Sequence, residues 1–304
     1  MSSIDPINLN PAKLAEKYIE QVKSDIETID DQLKAVGLIA TDDLPSMSYA
    51  KVTRQKFNDV GIEYDLRKVE RLELESEIMQ ANEDPSVHGI FIYFPVFNNQ
   101  QDVYLRNLVD YRKDIEAGSL YWTRKLYAND RLAVPGEPGK KALLPCTPLA
   151  IIKMLTEIGT YSTDVNRPVE GKYVTIFNRS EVNGRPLAVM MSNDGAMVYS
   201  FDINGPLLFK DAKPHEIDIS REDALAVSDI VITGVPSKSF PKIRCDEIKP
   251  GTVCVNFSSY PNFEDDIHTH TDVYIPRVGP MTVAMAMRNT VRLYRNFHQP
   301  DSTR

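Results

Sequence analysis

Apolar residues recur along this chain in two rhythms. After Pro11, the positions Leu14, Tyr18, Val22, Ile26, Ile29 and Leu33 fall at helical spacing, which predicts a long first helix with one buried face. Short apolar runs then alternate with further helical stretches. Val36–Ala40 reads as a strand, Met47–Val60 as a second helix closed by Gly61 at its C-cap, Ile62–Leu66 as a strand and Val69–Ala81 as a helix with an acidic outer face. The run HGIFIYFP, His88–Pro95, has the length of a buried strand, and a helix at about Gln101–Val109 completes an alternating α/β domain. From Lys113 to Leu144 the pattern lapses into loop, marked by Pro135, Gly136, Pro138 and Gly139. A loop of that length suggests function or a partner surface.

A helix over Leu144–Gly159 leads into a second alternating region. Tyr173–Phe177 is β-branched and aromatic, as in a buried parallel strand, and the polar loop Asn178–Arg185 follows it. Pro186 suits the first turn of the next helix, whose free amides favour an anion at the strand's exit. A strand over Ala196–Phe201 stops at Asp202, where a doubly wound nucleotide fold places the carboxylate that receives a ribose diol. Asn178 and Ser180 stand where the glycines of G-x-G-x-x-G are expected, so spacing alone also fits an ordinary βαβ unit with a polar loop. Beyond it come a helix near Arg221–Val227, a strand ending at Gly234 and the strand Thr252–Phe257; Gly234 and Asn256 are expected to line one crevice. A last helix covers Val283–Phe297.

Composition narrows the classes. With 304 residues, 42% hydrophobic and 26% charged, the chain is long enough for two domains. A net charge of −8 argues against a nucleic-acid partner, which needs an excess of Lys and Arg. Cys146, Cys245 and Cys254 are too few and too scattered for a disulfide framework and fit a reducing compartment. No targeting segment or membrane-spanning run is evident, so the expectation is a cytoplasmic protein with no membrane partner. The segment FEDDIHTH, with His268 and His270, enforces no ligand spacing and reads as solvated surface, so no metal is expected.

Five pieces in order carry a resemblance: DPSVHG at Asp84–Gly89, KDIEAG at Lys113–Gly118, PCTP at Pro145–Pro148, NRSEVNGRP at Asn178–Pro186 and VGPMTVAM at Val278–Met285. Together they resemble the methylenetetrahydrofolate dehydrogenase/cyclohydrolase family, in particular its monofunctional NAD-dependent fungal form. The resemblance implies an α/β fold of two domains with a cleft between them, the second a Rossmann-type doubly wound parallel sheet, and a last helix that returns to the first domain. It also implies a folate-binding catalytic domain over 1–147 joined by the helix 283–304, an NAD-binding domain over 148–282, a homodimer, and a place in one-carbon metabolism and purine biosynthesis.

On that resemblance the catalytic positions are Tyr49, Thr53, Tyr93 and Cys146, and the folate contacts Tyr49, Tyr93, Glu116, Pro276, Gly279 and Pro280. The cofactor contacts are Thr147, Asn178, Arg179, Ser180, Val182, Asp202, Ile203, Gly234, Val235, Asn256 and Thr282. Bifunctional relatives carry Tyr-x-x-x-Lys on the second helix, two residues that share a face. Counted back from Gly61, Tyr49 holds the tyrosine place and Thr53 the lysine place, while Tyr93 replaces the glutamine that supports that lysine. Loss of both implies dehydrogenase without cyclohydrolase activity; Lys56, seven residues from Tyr49, is the rival source of an amine. Glu116 replaces an aspartate that binds the pterin. Cys146 reads as packing rather than a nucleophile, since no covalent intermediate is needed. Ile203 replaces the serine that receives the extra phosphate of NADP, and Asp202 beside it repels that phosphate, so NAD is the expected cofactor. Arg179 is left with a salt bridge to Asp202 or a pyrophosphate contact. The competing readings are a bifunctional enzyme and a dinucleotide-binding module without catalysis.

Overall fold

A computed structural model describes residues 10–163 and 166–300. The chain divides into two compact units. Among the described residues, the first comprises Glu16–Cys146 and 283–300; the second comprises 147–282 together with 10–15.

In the first unit, three parallel strands lie in the order β2-β1-β3, with β1 at Lys34–Ile39, β2 at Glu63–Lys68 and β3 at Gly89–Ile92. Every residue of β3 and all but the first of β1 are buried, as continuous apolar runs in a covered parallel sheet must be. Helices α1 (Pro11–Ile26, whose residues up to Ala15 belong to the second unit), α2 (Leu44–Asp59), α3 (Leu74–Glu83), α4 (Gln100–Leu108) and α5 (Leu120–Tyr127) accompany them. Leu74, Ile78 and Ala81 of α3 pack with Val36, Leu38, Ile90 and Ile92 in one apolar cluster.

Three expectations are corrected here. The first helix ends at Ile26 rather than running on to Leu33, because the Thr28 hydroxyl donates to the carbonyl of Asp25 and competes with the next helical turn. The third helix starts at Leu74 rather than Val69, because the Val69 amide is still paired to Ile39 at the end of the β1–β2 ladder. The stretch 113–144 is not all loop: α5 lies inside it, anchored by the buried Trp122, whose indole donates to the carbonyl of Tyr111 at 2.9 Å.

The second unit holds α6 (Cys146–Glu157, whose first residue belongs to the first unit) and a seven-stranded sheet in the order β10-β9-β8-β4-β5-β6-β7. Its strands are β4 (Tyr173–Phe177), β5 (Met197–Asp202), β6 (Gly205–Lys210), β7 (Lys213–Glu216), β8 (Ile230–Thr233), β9 (Val253–Asn256) and β10 (Val273–Ile275), with α7 (Gly184–Asn193) after β4 and α8 (Arg221–Val227) before β8. From β10 to β5 all pairs are parallel; β5–β6 and β6–β7 are antiparallel. The strand order reverses at β4, which has β5 on one side and β8 on the other, and such a switch point is where doubly wound sheets bind ligands. The antiparallel hairpin at the edge was not expected from the sequence.

The last helix, α9, runs Gly279–Leu293 and closes in a π-type turn at Tyr294–His298, starting four residues before the expected Val283. From Val283 onward it belongs to the first unit, where Arg295 bonds Asp25, Tyr294 bonds Asp31 and Asn289 donates to the carbonyls of Ile115 and Leu144.

Candidate functional site

Two groups of side chains correspond to the folate and dinucleotide assignments, one in each unit.

In the first unit, α2 presents Tyr49 and Thr53 one turn apart. Thr53 is fully buried and its hydroxyl donates back to the carbonyl of Tyr49 at 2.9 Å. The ring of Tyr93, one residue beyond β3, meets that of Tyr49 edge-on at 6.0 Å. The Tyr93 hydroxyl is 2.8 Å from that of Tyr64 on β2, a partner the sequence did not disclose. Tyr64 fits because its ring lies over Gly37 of β1, two residues along from its partner Ala35: a Cβ at Gly37 would lie 2.4 Å from the Tyr64 oxygen. Burial pushes the Tyr93 hydroxyl up to about 12 and raises Tyr49 and Tyr64 as well. All three phenols are therefore neutral donors at physiological pH.

Glu116 and Cys146 complete this group. Burial, then the neighbouring Asp114, pushes the Glu116 carboxyl up to about 8, against a smaller opposing effect of Arg106. Cys146 is buried with its Sγ 3.4 Å from the carbonyl of Ile115, and burial followed by Glu116 and Asp114 keeps it a thiol. A protonated thiol in that setting is packing, not a nucleophile. Asn289 was also missed: its amide donates to Ile115, Leu144 and the Cys146 sulfur, tying the loop that carries Glu116 to the start of α6 at Cys146. Lys56 is exposed on α2, where Thr53 is buried.

In the second unit, Asn178 leaves β4 with φ 145°, a backbone conformation that favours glycine. Its side chain holds it there. Nδ2 donates to the carbonyl of Gly234 at 2.7 Å, across the switch point, and Oδ1 accepts the Ser180 amide at 2.8 Å. Gly184, opening α7, allows the close approach, since a Cβ there would fall 1.7 Å from the Asn178 carbonyl oxygen. The loop thus has the glycine-type turn without the glycine.

Arg179 is largely enclosed, its side chain 9% exposed. Its guanidinium donates to Asp202 at 2.5 Å, to the carbonyl of Ser200 at 2.7 Å and to that of Gly205 at 3.0 Å. The same Asp202 oxygen accepts the Asn204 amide at 2.7 Å; among the described residues the other oxygen, Oδ2, accepts none. A recess of about 250 Å³ lies here, lined by Arg179, Asp202, Asn204 and Leu207, with Pro214 from β7. Ile203 beside it is fully exposed. The hairpin residues Asn204, Leu207 and Pro214 were not anticipated, although the Asn204–Gly205 dipeptide is the ordinary signal for a tight turn between paired strands.

Other expected contacts are spent internally. Asn256 is buried and its amide nitrogen donates to the carbonyl oxygens of Ser258, Tyr260 and Pro276, while its oxygen accepts from Thr233 and Ser258. It fixes the strand end. The Val235 amide donates to Asn262, and the hydroxyls of Thr147 and Thr282 face each other at 3.4 Å. Val182, Gly279 and Pro280 are half-buried and Pro276 is exposed. Among the described residues, no group of three or more His, Cys, Asp or Glu is placed to hold a metal, and His268 bonds the Asp265 carbonyl.

The fold and the recess define a two-unit α/β protein whose second unit is of the dinucleotide-binding class. Comparison narrows this. Residues 9–116 match the catalytic-domain model of tetrahydrofolate dehydrogenase/cyclohydrolase and residues 145–298 match its NAD(P)-binding-domain model. The chain belongs to the tetrahydrofolate dehydrogenase/cyclohydrolase family. It is 40% identical over 293 residues to a methylenetetrahydrofolate dehydrogenase [NAD(+)] of Schizosaccharomyces pombe, covering 93% of this chain and 91% of that one. It is 43% identical over 277 residues to the protein of the same name from Saccharomyces cerevisiae, covering 86% of each. The solved structure of the NAD-dependent 5,10-methylenetetrahydrofolate dehydrogenase of Saccharomyces cerevisiae superposes with a TM-score of 0.88 at 38% identity, over 94% of this chain and 96% of that one.

Proposed function

We propose that this protein catalyses the NAD-dependent oxidation of 5,10-methylenetetrahydrofolate to 5,10-methenyltetrahydrofolate by direct hydride transfer, without cyclohydrolase activity. One observation carries the cofactor half: the Arg179 fork is filled by Asp202 and two backbone carbonyls. A guanidinium so occupied does not receive a 2′-phosphate, and the Asp202 carboxylate repels one while accepting a free ribose hydroxyl. The residues fit the cofactor, with a carboxylate oxygen still open at the recess and a loop shaped by Gly184 for close backbone approach. When bound, NAD supplies the hydride acceptor.

The remaining roles belong to the chain. Oxidation of the folate methylene carbon leaves a cation delocalised over its two nitrogens, so no base is required and orientation supplies the rate. Tyr49 packs against the folate, Glu116 hydrogen-bonds the pterin, and Tyr93 with Thr53 offers neutral hydroxyls where hydrolysis needs an amine. Cys146 contributes packing. The first unit is assigned to folate and the second to NAD; homodimeric assembly, a cytosolic location and a role in one-carbon metabolism feeding purine synthesis belong to the same proposal. Steady-state oxidation of methylenetetrahydrofolate with each nucleotide tests it: a higher kcat/KM with NAD is expected, and a preference for NADP rejects the cofactor half.

A further inference from the structure

Helix α9 carries Arg288 and Arg292 four residues apart, and hence on one face. Both are half-buried. Among the described residues Arg288 makes no hydrogen bond or ion pair, and Arg292 makes only one long bond, Nη1 to the carbonyl of Ala142 at 3.5 Å. Two acids of the neighbouring segment are engaged elsewhere, Asp25 by Arg295 at 2.9 Å and Asp31 by the Tyr294 hydroxyl. This is unusual in a chain with 43 acidic residues against 35 basic ones, which gives carboxylates to Arg67, Arg112, Arg179, Arg221 and Arg295.

Burial lowers both guanidinium groups from their ordinary value. Arg292 is pushed down to about 10, with the charge of Arg288 adding to the effect, while Asp25 acts weakly in the opposite sense on both, and Tyr18 does so on Arg288. A guanidinium does not shed its proton in a protein, so two partly desolvated ones at helical spacing present like charges and open donors that an anion can meet.

We propose that Arg288 and Arg292 form a binding site for a phosphate-class oxyanion. A tetrahedral dianion presents oxygens to two guanidinium forks at once, whereas one fork fills one carboxylate. The site draws on none of the residues assigned to folate or NAD. Asn289, between the two arginines, clamps the Ile115 and Leu144 carbonyls, so an occupied site steadies the helix that holds those loops.

The test is equilibrium dialysis of inorganic phosphate against the full-length protein saturated with NAD, at fixed ionic strength in chloride. One phosphate per chain is expected, with sulfate competing and acetate failing to compete. Glycerol phosphate competing assigns the site to phosphomonoesters as well as the free ion, and its failure confines it to the free ion; both results keep the proposal. Arg288→Gln and Arg292→Gln are each expected to raise the dissociation constant at least tenfold and, by removing like-charge repulsion, to melt no lower than the wild type in chloride. If a Gln variant does not fold, Arg288→Lys and Arg292→Lys take its place, with binding weakened but retained. Absence of bound phosphate in the NAD-saturated wild type, or unchanged affinity in the folded variants, overturns the proposal.

Discussion

On the proposed assignment the two groups of site residues each offer no usable cation, by opposite routes. In the first unit that assignment puts Thr53 in the lysine place, where it is fully buried and bonds its own helix, and Tyr93 is tied to Tyr64. In the second unit the cation is kept but occupied, with Arg179 held by Asp202, Ser200 and Gly205. Replacement is readable from residue identities alone. Neutralisation depends on where a side chain goes, and only the folded chain reveals it.

The strongest challenge to this contrast is to restore the missing amine. Thr53→Lys places an ammonium at a fully buried position without a carboxylate partner and is expected to cost about 3 kcal/mol of stability. It should not create a fast hydrolase, because Tyr93 remains where the supporting amide is absent. Urea denaturation and a methenyl-decay assay report the two halves, and rapid hydrolysis by the single variant contradicts the coupled loss. Next is Asp202→Ser, which removes the charged acceptor at the recess and releases Arg179. A loss of roughly 2–3 kcal/mol per charge-assisted interaction corresponds to a drop of about 10²-fold in kcat/KM for NAD. The ratio of NADP to NAD efficiency should rise together with that drop; unchanged NAD kinetics would remove Asp202 from the site.

A smaller effect concerns Glu116. Its carboxyl titrates at about 8 in the folded chain against 4.5 in the reference state. Between these values the folded chain keeps a proton that the unfolded chain has released, so this contribution is complete below about pH 4.5 and is lost as pH rises through 8. Glu116→Gln should therefore melt like the wild type near pH 4 and a few degrees higher near pH 8.5, and parallel melting curves across that range would contradict the buried-acid description. Smallest is Tyr93→Phe, which removes the hydroxyl pair with Tyr64 and should cost about 1 kcal/mol by urea titration. A cost near zero would mean that this pair does not hold the ring.

Much of this was legible in the chain. The β4–α7–β5 unit and the acid at the end of β5 follow from periodicity, Pro186 and spacing, while the threonine on α2 was singled out by the family resemblance. Asn178 looked like a departure from the glycine pattern, yet it adopts a glycine-type backbone because its own side chain bridges to Gly234. That compensation is not local and has no motif. The Tyr64–Tyr93 pair joins residues 29 apart through parallel pairing of β2 and β3 with β1, and the Gly37 that makes room for it is a buried strand residue like any other until the register is known. The β6–β7 hairpin turns at Asp211–Ala212, both with positive φ, where no glycine advertised the turn. Asn256 sat at the right strand end, but burial committed its amide to neighbouring carbonyls.

The most direct measurement follows the decay of 5,10-methenyltetrahydrofolate in the presence and absence of the wild-type protein, under conditions in which its NAD-dependent oxidation of methylenetetrahydrofolate is fast. Equal decay rates are predicted, since the proposed assignment puts neutral hydroxyls where hydrolysis needs an amine. Decay accelerated in proportion to protein concentration would contradict the account.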